Sequence, residues 1–167
     1  MLVTCSPRTR LAQLVLVDPQ AARVLLACHK TGEMEGVYTG LLDTVEGGEK
    51  PQEAVVRIAR DLAGIRIQPP SLRAVFEFTG PTHPVVDEYQ FYCETYRGTP
   101  REGDRVRPEW FPLDRIPYDR MPADDALWYP AFLAGHLQEG SFEFGPDPET
   151  LARYTLEEVP SLEHRSR

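Results

Sequence analysis

The strongest structural signal in this sequence is one amphipathic helix in a chain that is otherwise rich in strand patterns. Pro51 can begin this helix because proline is tolerated at the first helical position, and Glu53 complements the positive end of the helix dipole. Apolar residues follow at i, i+3, i+4 and i+7, namely Val55, Ile58, Ala59 and Leu62. Gly64 is the expected end of the helix. The rest of the chain must therefore provide an apolar surface for one face of this helix.

Short runs of branched and aromatic residues surround the helix and predict β-strands. The predicted strands are 11–17, 23–28, 37–42, 65–67, 72–78, 89–96, 107–111 and 142–144. A second helix is expected over 124–137, although Pro130 lies inside its first turns, and a helical turn is expected over 149–154. This order predicts an α/β (α+β) fold with a mixed β-sheet sandwiched between α-helices, not a parallel doubly wound sheet.

Length and composition favour a single globular domain. The 167 residues are 41% hydrophobic and 26% charged, and no long linker divides them. We expect an N-terminal extension at 1–10, one domain at 11–160 and a polar tail at 161–167. The sequence has no apolar stretch of about 18 residues that could span a membrane. It also lacks a secretory signal, and its three cysteines are far apart, so we expect a cytoplasmic protein.

The charge balance excludes one class of partner. The formal net charge is −8 at pH 7, with 18 basic and 26 acidic side chains. An acidic surface repels a phosphate backbone, so a protein that binds nucleic-acid polymers is not expected. A phosphate-bearing ligand must be small and must meet a local donor array or a cation.

The segment from Glu46 to Ile65 resembles the signature of the Nudix hydrolases. A Glu46-Gly-Gly-Glu49 loop leads into a helix through Arg57, and Gly64-Ile65 follows it. Over 11–159 the chain is similar to the branch of this family that acts on oxidized purine nucleotides, on segments such as Val75-Phe-Glu-Phe78 and Asp124-Asp125. The resemblance implies hydrolysis of 8-oxo-dGTP or 2-hydroxy-dATP to the monophosphate and pyrophosphate by a monomer. It also implies Mg²⁺ held by carboxylates.

The helix departs from the family signature at the positions that the resemblance assigns to metal binding. Ile58 and Leu62 stand where the family has metal-binding glutamates, and the glutamate between them is Asp61. Asp43 replaces the opening glycine, and Arg105 stands where a later loop acid is expected. An aliphatic side chain cannot coordinate Mg²⁺, and even the loss of an outer-shell partner costs about 10 to 100-fold in metal affinity or activity. We therefore expect weak or absent Mg²⁺ binding and weak or lost hydrolysis.

Two alternatives remain open for this helix and its loop. In the first, Glu46, Glu49 and Asp61 form an improvised metal site, with Glu49 and Asp61 as the catalytic residues. In the second, the chain is a non-catalytic interaction module that has kept the fold. The family resemblance also implies a structural pair between Glu49 and Arg57, and Ile58 and Leu62 are simple core positions on pattern alone.

Asp124 and Asp125 are the most informative pair of acids outside the helix. An aspartate at a helix start can cap free backbone N–H groups, which is the structural interpretation. The resemblance implies instead that both carboxyls face the purine edge. Two neighbouring buried acids tend not to ionise together, so one can donate a hydrogen bond while the other accepts one.

The resemblance implies four further contacts to the purine nucleotide: Thr39, Lys30, Phe76 and Phe78. Thr39 stands where the family has an asparagine that contacts the base, and Lys30 is adjacent to the position of a family lysine. Phe76 and Phe78 can equally be core residues. Pro122 replaces a tryptophan that stacks on the base, so we expect altered base recognition.

Overall fold

A nine-stranded mixed β-sheet forms the centre of the fold. The computed structural model describes residues 8–165, so positions 1–7 of the predicted extension, with Cys5, and positions 166–167 of the predicted tail lie outside the described residues. The elements are β1 (Arg8–Asp18), β2 (Arg23–His29), β3 (Tyr38–Thr39), β4 (Leu41–Thr44), α1 (Pro51–Ala63), β5 (Arg66–Ile67), β6 (Ser71–Thr79), β7 (Val85–Cys93), β8 (Tyr96–Arg97), β9 (Val106–Pro112), α2 (Asp125–Leu133), β10 (Gln138–Phe144) and β11 (Leu151–Glu158). Short 3₁₀ turns occupy Tyr118–Arg120 and Glu163–Arg165.

The strand order confirms the predicted mixed sheet. The main path runs β11-β10-β6-β7-β1-β2-β3, while β4 pairs with β1 and β9 pairs with β2. The pairs β1–β7 and β6–β10 are parallel, and the other pairs of this sheet are antiparallel. A separate two-stranded ribbon joins β5 to β8.

The two helices cover opposite faces of this sheet. Strand side chains alternate between faces, so Ala12, Leu14 and Leu16 pack with the apolar side of α1. Val15 and Val17 belong to a second apolar cluster with the aromatic side chains of α2. The predicted sandwich of a mixed sheet between helices is therefore confirmed.

Helix α1 has the bounds that its sequence predicts. It begins at Pro51 and ends at Ala63, and Gly64 follows with φ 69° in the left-handed region. The Gly64 N–H closes the last turn by donating to Arg60 O at 3.0 Å. No helix of the described chain is long and apolar enough to cross a membrane.

The structure corrects three predicted elements. Positions 149–154 are not helical: Asp147 accepts hydrogen bonds from Glu149 and Thr150 in a turn, and β11 follows in pairing with β10. The predicted helix 124–137 ends at Leu133, because Gly135 adopts φ 95° and turns the chain toward β10. The predicted strand 89–96 is shifted to Val85–Cys93, where it pairs with both β1 and β6.

The segment predicted as a polar tail begins inside the fold. Leu162 is 4% exposed and belongs to the apolar cluster under α1. Of the cysteines that the structure describes, Cys28 and Cys93 are free thiols.

Candidate functional site

Arg57 is the centre of a charged network between α1 and the loop that precedes it. Its Nε lies 2.9 Å from Glu49 Oε2, and its Nη2 lies 3.0 Å from Glu49 Oε1. The same Nη2 donates to Thr44 O at 2.8 Å. These hydrogen bonds hold the pKa of Glu49 below its ordinary value. This geometry is the two-pronged arginine–carboxylate pair that fixes a loop on a helix.

The other two predicted metal ligands converge on the same guanidinium. Arg57 Nη1 lies 3.8 Å from Glu46 Oε1 and 3.5 Å from Asp61 Oδ2. Glu49 also accepts a hydrogen bond from the backbone N–H of Glu46 at 3.1 Å. The structure thus brings Glu46, Glu49 and Asp61 together, but around an arginine side chain.

Ile58 and Leu62 are parts of the apolar core. Their exposed fractions are 0% and 5%, and both belong to the cluster that α1 forms with the sheet. Nearby, Asp43 pairs with Arg105, whose Nη1 lies 2.7 Å from Asp43 Oδ2. The substituted signature positions therefore serve packing and charge pairing.

The donor set of this region does not fit Mg²⁺. Both carboxylate oxygens of Glu49 are bonded to Arg57, and the two remaining acids contact the same positive group. Within residues 8–165, no three histidine, cysteine, aspartate or glutamate side chains are arranged to hold a metal ion. A divalent cation placed among these acids would adjoin a guanidinium charge, which repels it.

A second region, on the α2 side of the sheet, contains a cavity of about 170 Å³. Its polar lining comes from β1, β3, β7 and the start of α2: Gln13, Thr39, Glu88, Asp124 and Asp125. Leu11, Met34, Leu42, Phe78, Pro122 and Phe144 supply the apolar lining. This cavity is smaller than the roughly 300–1,000 Å³ of most small-molecule sites, but apolar walls with convergent polar groups are the kind of lining that such sites have.

Asp124 and Asp125 are each only 3% exposed. Trp128 Nε1 donates to Asp124 Oδ2 at 2.9 Å, whereas Asp125 Oδ2 is buried without a hydrogen-bond partner. Burial raises the pKa of Asp124, and burial together with the charge of Asp124 raises the pKa of Asp125 well above its ordinary value. Asp124 precedes α2 but its side chain makes no capping hydrogen bond, so the capping interpretation is wrong.

The other predicted contacts divide between the cavity and its surroundings. Thr39 and Phe78 line the cavity. The Thr39 hydroxyl donates to Gly40 O at 2.7 Å and lies 2.8 Å from Nε2 of the histidine at position 29. Phe76 is buried against Trp128 and stands outside the lining. Lys30 is also outside it, with Nζ 3.3 Å from a carboxylate oxygen at position 102 and 2.9 Å from the carbonyl oxygen at position 103.

Sequence reasoning missed the third carboxyl of this cavity, Glu88, and the two glutamines beside it. Gln90 Nε2 donates to Glu88 Oε1 at 2.7 Å, and Gln13 Nε2 donates to Gln90 Oε1 at 2.6 Å. Burial raises the pKa of Glu88 to about 7. The available signal was a glutamine inside an apolar run of β1, since Gln13 stands between Ala12 and Leu14.

Comparisons with known proteins agree with this architecture. The chain is 35% identical over 158 residues to oxidized purine nucleoside triphosphate hydrolase of Danio rerio, covering 92% of this chain and 98% of that protein. The Mus musculus protein of the same name is also 35% identical, over 159 residues, with the same coverage. The chain superposes with TM-score 0.77 on a MutT protein from Bacillus halodurans at 22% identity, covering 89% of this chain and 97% of the other. No protein-family model matches the chain.

The mixed sheet between two helices is the Nudix class of fold, since the chain also superposes with TM-score 0.61 on a MutT NUDIX hydrolase from Burkholderia pseudomallei at 23% identity, covering 66% of this chain and 88% of the other. The chain belongs to the Nudix hydrolase family, and its curated relatives there carry the name oxidized purine nucleoside triphosphate hydrolase.

Proposed function

We propose that this chain binds an oxidized purine nucleotide and hydrolyses it weakly or not at all. One observation carries the proposal: the acids of the signature loop and helix surround Arg57, while Ile58 and Leu62 fill the core. Phosphoryl transfer depends on neutralising the charge of the phosphates, and two of the helix carboxylates that would hold a metal for this purpose are absent.

The cavity on the α2 side supports the binding half of the proposal. Asp124 and Asp125 offer neighbouring carboxyls, and the raised pKa values favour a pair in which one donates a hydrogen bond and the other accepts one. A purine edge with adjacent donors and acceptors matches such a pair. The names of the 35% identical relatives support the oxidized purine as substrate class.

Thr39 and Pro122 indicate that the base is recognised differently from the family pattern. A hydroxyl offers one donor where an amide offers two-sided contact, and the Thr39 hydroxyl is already engaged with Gly40 O. Pro122 offers little of the stacking area that an aromatic ring provides. We therefore propose a lower affinity for the base than an asparagine and a tryptophan would give.

The surface charges also lower the affinity that we expect for a triphosphate, without preventing its binding in the presence of Mg²⁺. Lys30 and Arg105 lie on adjoining segments, since Lys30 N donates to Arg105 O at 2.9 Å, and each side chain already pairs with a carboxylate. With a net charge of −8, the protein attracts a polyanion poorly without a bound cation. The same charge argues against a nucleic-acid polymer as partner.

An active Mg²⁺-dependent diphosphatase is the second candidate. The relatives' printed name favours it, and it would need Glu46, Glu49 and Asp61 to release Arg57 and turn to the metal. A non-catalytic interaction module would need neither metal nor nucleotide.

Two assays on the intact chain separate these functions. Pyrophosphate release from 8-oxo-dGTP with Mg²⁺ should be at least about 100-fold slower than that of the Danio rerio relative assayed in parallel. Calorimetric titration with 8-oxo-dGMP should detect binding. Turnover equal to that of the relative would overturn the loss of hydrolysis, and no heat at millimolar 8-oxo-dGMP would overturn nucleotide binding.

A further inference from the structure

Glu88 lies at the junction of two cavities. The 170 Å³ cavity beside Asp124 and Asp125 shares four lining residues with a second cavity of about 240 Å³: Leu11, Phe78, Glu88 and Phe144. The second cavity continues toward the 80–83 turn between β6 and β7. Glu88 is the one carboxyl that both linings share, so it stands in the middle of a longer cleft.

The sheet fixes which oxygen of Glu88 is available to a ligand. Gln13 is anchored because Gly40 N donates to its Oε1 at 2.8 Å, and a Cβ at Gly40 would lie 2.5 Å from Leu14 O. The amide nitrogen of Gln13 must then point to Glu88 and Gln90. Gln13 Nε2 lies 3.4 Å and Gln90 Nε2 lies 2.7 Å from Glu88 Oε1, and no described hydrogen bond reaches Oε2.

The cavity lining also indicates what kind of chemical group a ligand must supply. No lysine, arginine or histidine lines the 170 Å³ cavity in the described part of the chain. Asp125, itself 3% exposed, keeps Oδ2 buried without a partner in the same cavity. A buried polar atom without a partner costs free energy. Glu88, when ionised, can only accept hydrogen bonds, so a ligand group that satisfies its Oε2 must be a donor such as an N–H.

We propose that Glu88 is a specificity-determining residue of this site. Its Oε2 accepts a hydrogen bond from an N–H group of the base, and this N–H group is one that Asp124 and Asp125 do not contact. This inference rests on the proposed nucleotide binding. The ligand class is a purine with N–H donors on more than one edge. 8-Oxoguanine belongs to this class through N1–H, the 2-amino group and N7–H.

Glu88→Gln tests this role with little change in shape. Because Gln13 and Gln90 both donate toward the Oε1 position, the new amide must place its oxygen there and turn its NH₂ into the cleft. The NH₂ would then face a donor of the base. We expect the variant to bind 8-oxo-dGMP at least about 10-fold more weakly, in the range measured for one lost buried hydrogen bond.

Two further ligands make the test specific. dGMP lacks N7–H and 8-oxo-dIMP lacks the 2-amino group. If Glu88 contacts either of these donors, the variant should lose no affinity for the analogue that lacks it, whereas a contact to N1–H should weaken the binding of all three nucleotides. Glu157→Gln, at an exposed position of β11, is the matched control and should bind all three nucleotides like the wild type. Calorimetry at pH 8 keeps most of the Glu88 carboxyl ionised, since its pKa is about 7.

The outcomes separate the two proposals. If the wild type binds none of the three nucleotides, nucleotide binding and the role of Glu88 both fail. If it binds 8-oxo-dGMP and Glu88→Gln binds all three within about twofold of the wild type, only the role of Glu88 is overturned. Should Glu88→Gln not fold, Glu88→Asp withdraws the carboxyl by one methylene and should weaken 8-oxo-dGMP binding. Unchanged affinity in that variant contradicts the proposal.

Discussion

The two acidic regions of this molecule differ in how their charges are compensated. On the α1 side, three carboxylates share the guanidinium of Arg57, and Ile58 and Leu62 are buried. On the α2 side, Glu88, Asp124 and Asp125 are buried without a cation in the lining of their cavity among the described residues.

This difference is the basis on which we propose a structural role for the α1 side and a binding role for the α2 side. Charges that satisfy one another within the chain stabilise a loop and leave nothing for a ligand to complete. Buried polar atoms without partners destabilise the unliganded protein and are satisfied when a complementary ligand binds. Our proposal is therefore that this Nudix fold has lost its metal chemistry on one face of the sheet and has kept a base site on the other.

The largest effect is expected from restoring both glutamates at the α1 positions. Ile58→Glu with Leu62→Glu places two carboxyls in the apolar core, which should lower the free energy of unfolding by about 4 kcal/mol or more without metal. Urea unfolding with and without Mg²⁺ measures this loss. If only the ligands are missing, Mg²⁺ should recover part of the stability and pyrophosphate release should appear.

The matched control for the double variant is Ile58→Gln with Leu62→Gln, which adds polarity without a negative charge. It should be destabilised but insensitive to Mg²⁺. A double glutamate variant as stable as the wild type in the absence of Mg²⁺ would show that these positions are not core, and the contrast between the two regions would fail.

The next largest effect is expected from removing Arg57, the cation that the three carboxylates of the α1 side share. Arg57→Ala leaves Glu46, Glu49 and Asp61 near one another without their common partner, and should cost about 3 kcal/mol in unfolding free energy. Arg60→Ala on the same helix is the control, since its side chain is 63% exposed and its loss should cost less than about 0.5 kcal/mol. Equal effects of both variants would show that the Arg57 network has no special structural role.

A third effect is the pH dependence of stability that the buried acids Glu88, Asp124 and Asp125 should produce. Burial raises the pKa of Glu88 from 4.5 to about 7, so protonated Glu88 is favoured in the folded protein. Its contribution to stability is present below pH 4.5 and is lost as the pH rises through 7, a loss of roughly 3 kcal/mol. Asp124 and Asp125 act with the same sign because their pKa values are also raised.

Urea unfolding between pH 5 and 8 tests the role of Glu88 in this pH dependence. The wild type should lose stability as the pH rises across this window, and Glu88→Gln should lose less because its amide does not titrate. Glu157→Gln should keep the wild-type slope. Parallel slopes for the wild type and Glu88→Gln would contradict a raised pKa at Glu88.

The smallest effect on stability is expected at Asp125. Asp125→Asn keeps the shape but removes one of two neighbouring buried acids, so we expect a gain of about 1 kcal/mol at pH 8. The same variant should bind 8-oxo-dGMP more weakly in calorimetry. A variant that loses stability and keeps its affinity would reverse the roles that we assign to this residue.

The parts of the fold that local chemistry determines were predictable from sequence. Helix α1 begins at Pro51 and ends before Gly64. Its start and stop signals are the proline at its first position and the glycine directly after it, so both are local in sequence. Positions 149–154 were not predictable in this way, because Leu151, Arg153 and Tyr154 belong to a strand that pairs with β10. Tertiary pairing overrides local preference there.

The candidate site shows the same limit. The pattern identified Asp124 and Asp125 as a pair and Ile58 as a core position, and the structure places all three in buried sites. Glu88 was missed because its hydrogen-bond partners depend on the register of the strands. The pairing of β1 with β7 brings Gln13 beside Gln90, which is 77 positions away in sequence. No local pattern contains that information.

The most direct test of the contrast between the two regions follows 8-oxo-dGTP itself by ³¹P NMR with the intact protein and excess Mg²⁺, because one experiment reports binding and hydrolysis together. We predict that the triphosphate resonances broaden or shift with added protein and then persist. Resonances of 8-oxo-dGMP and pyrophosphate that grow at the rate given by the Danio rerio relative would contradict the loss of hydrolysis. Triphosphate resonances unchanged by the protein would contradict the retained nucleotide site.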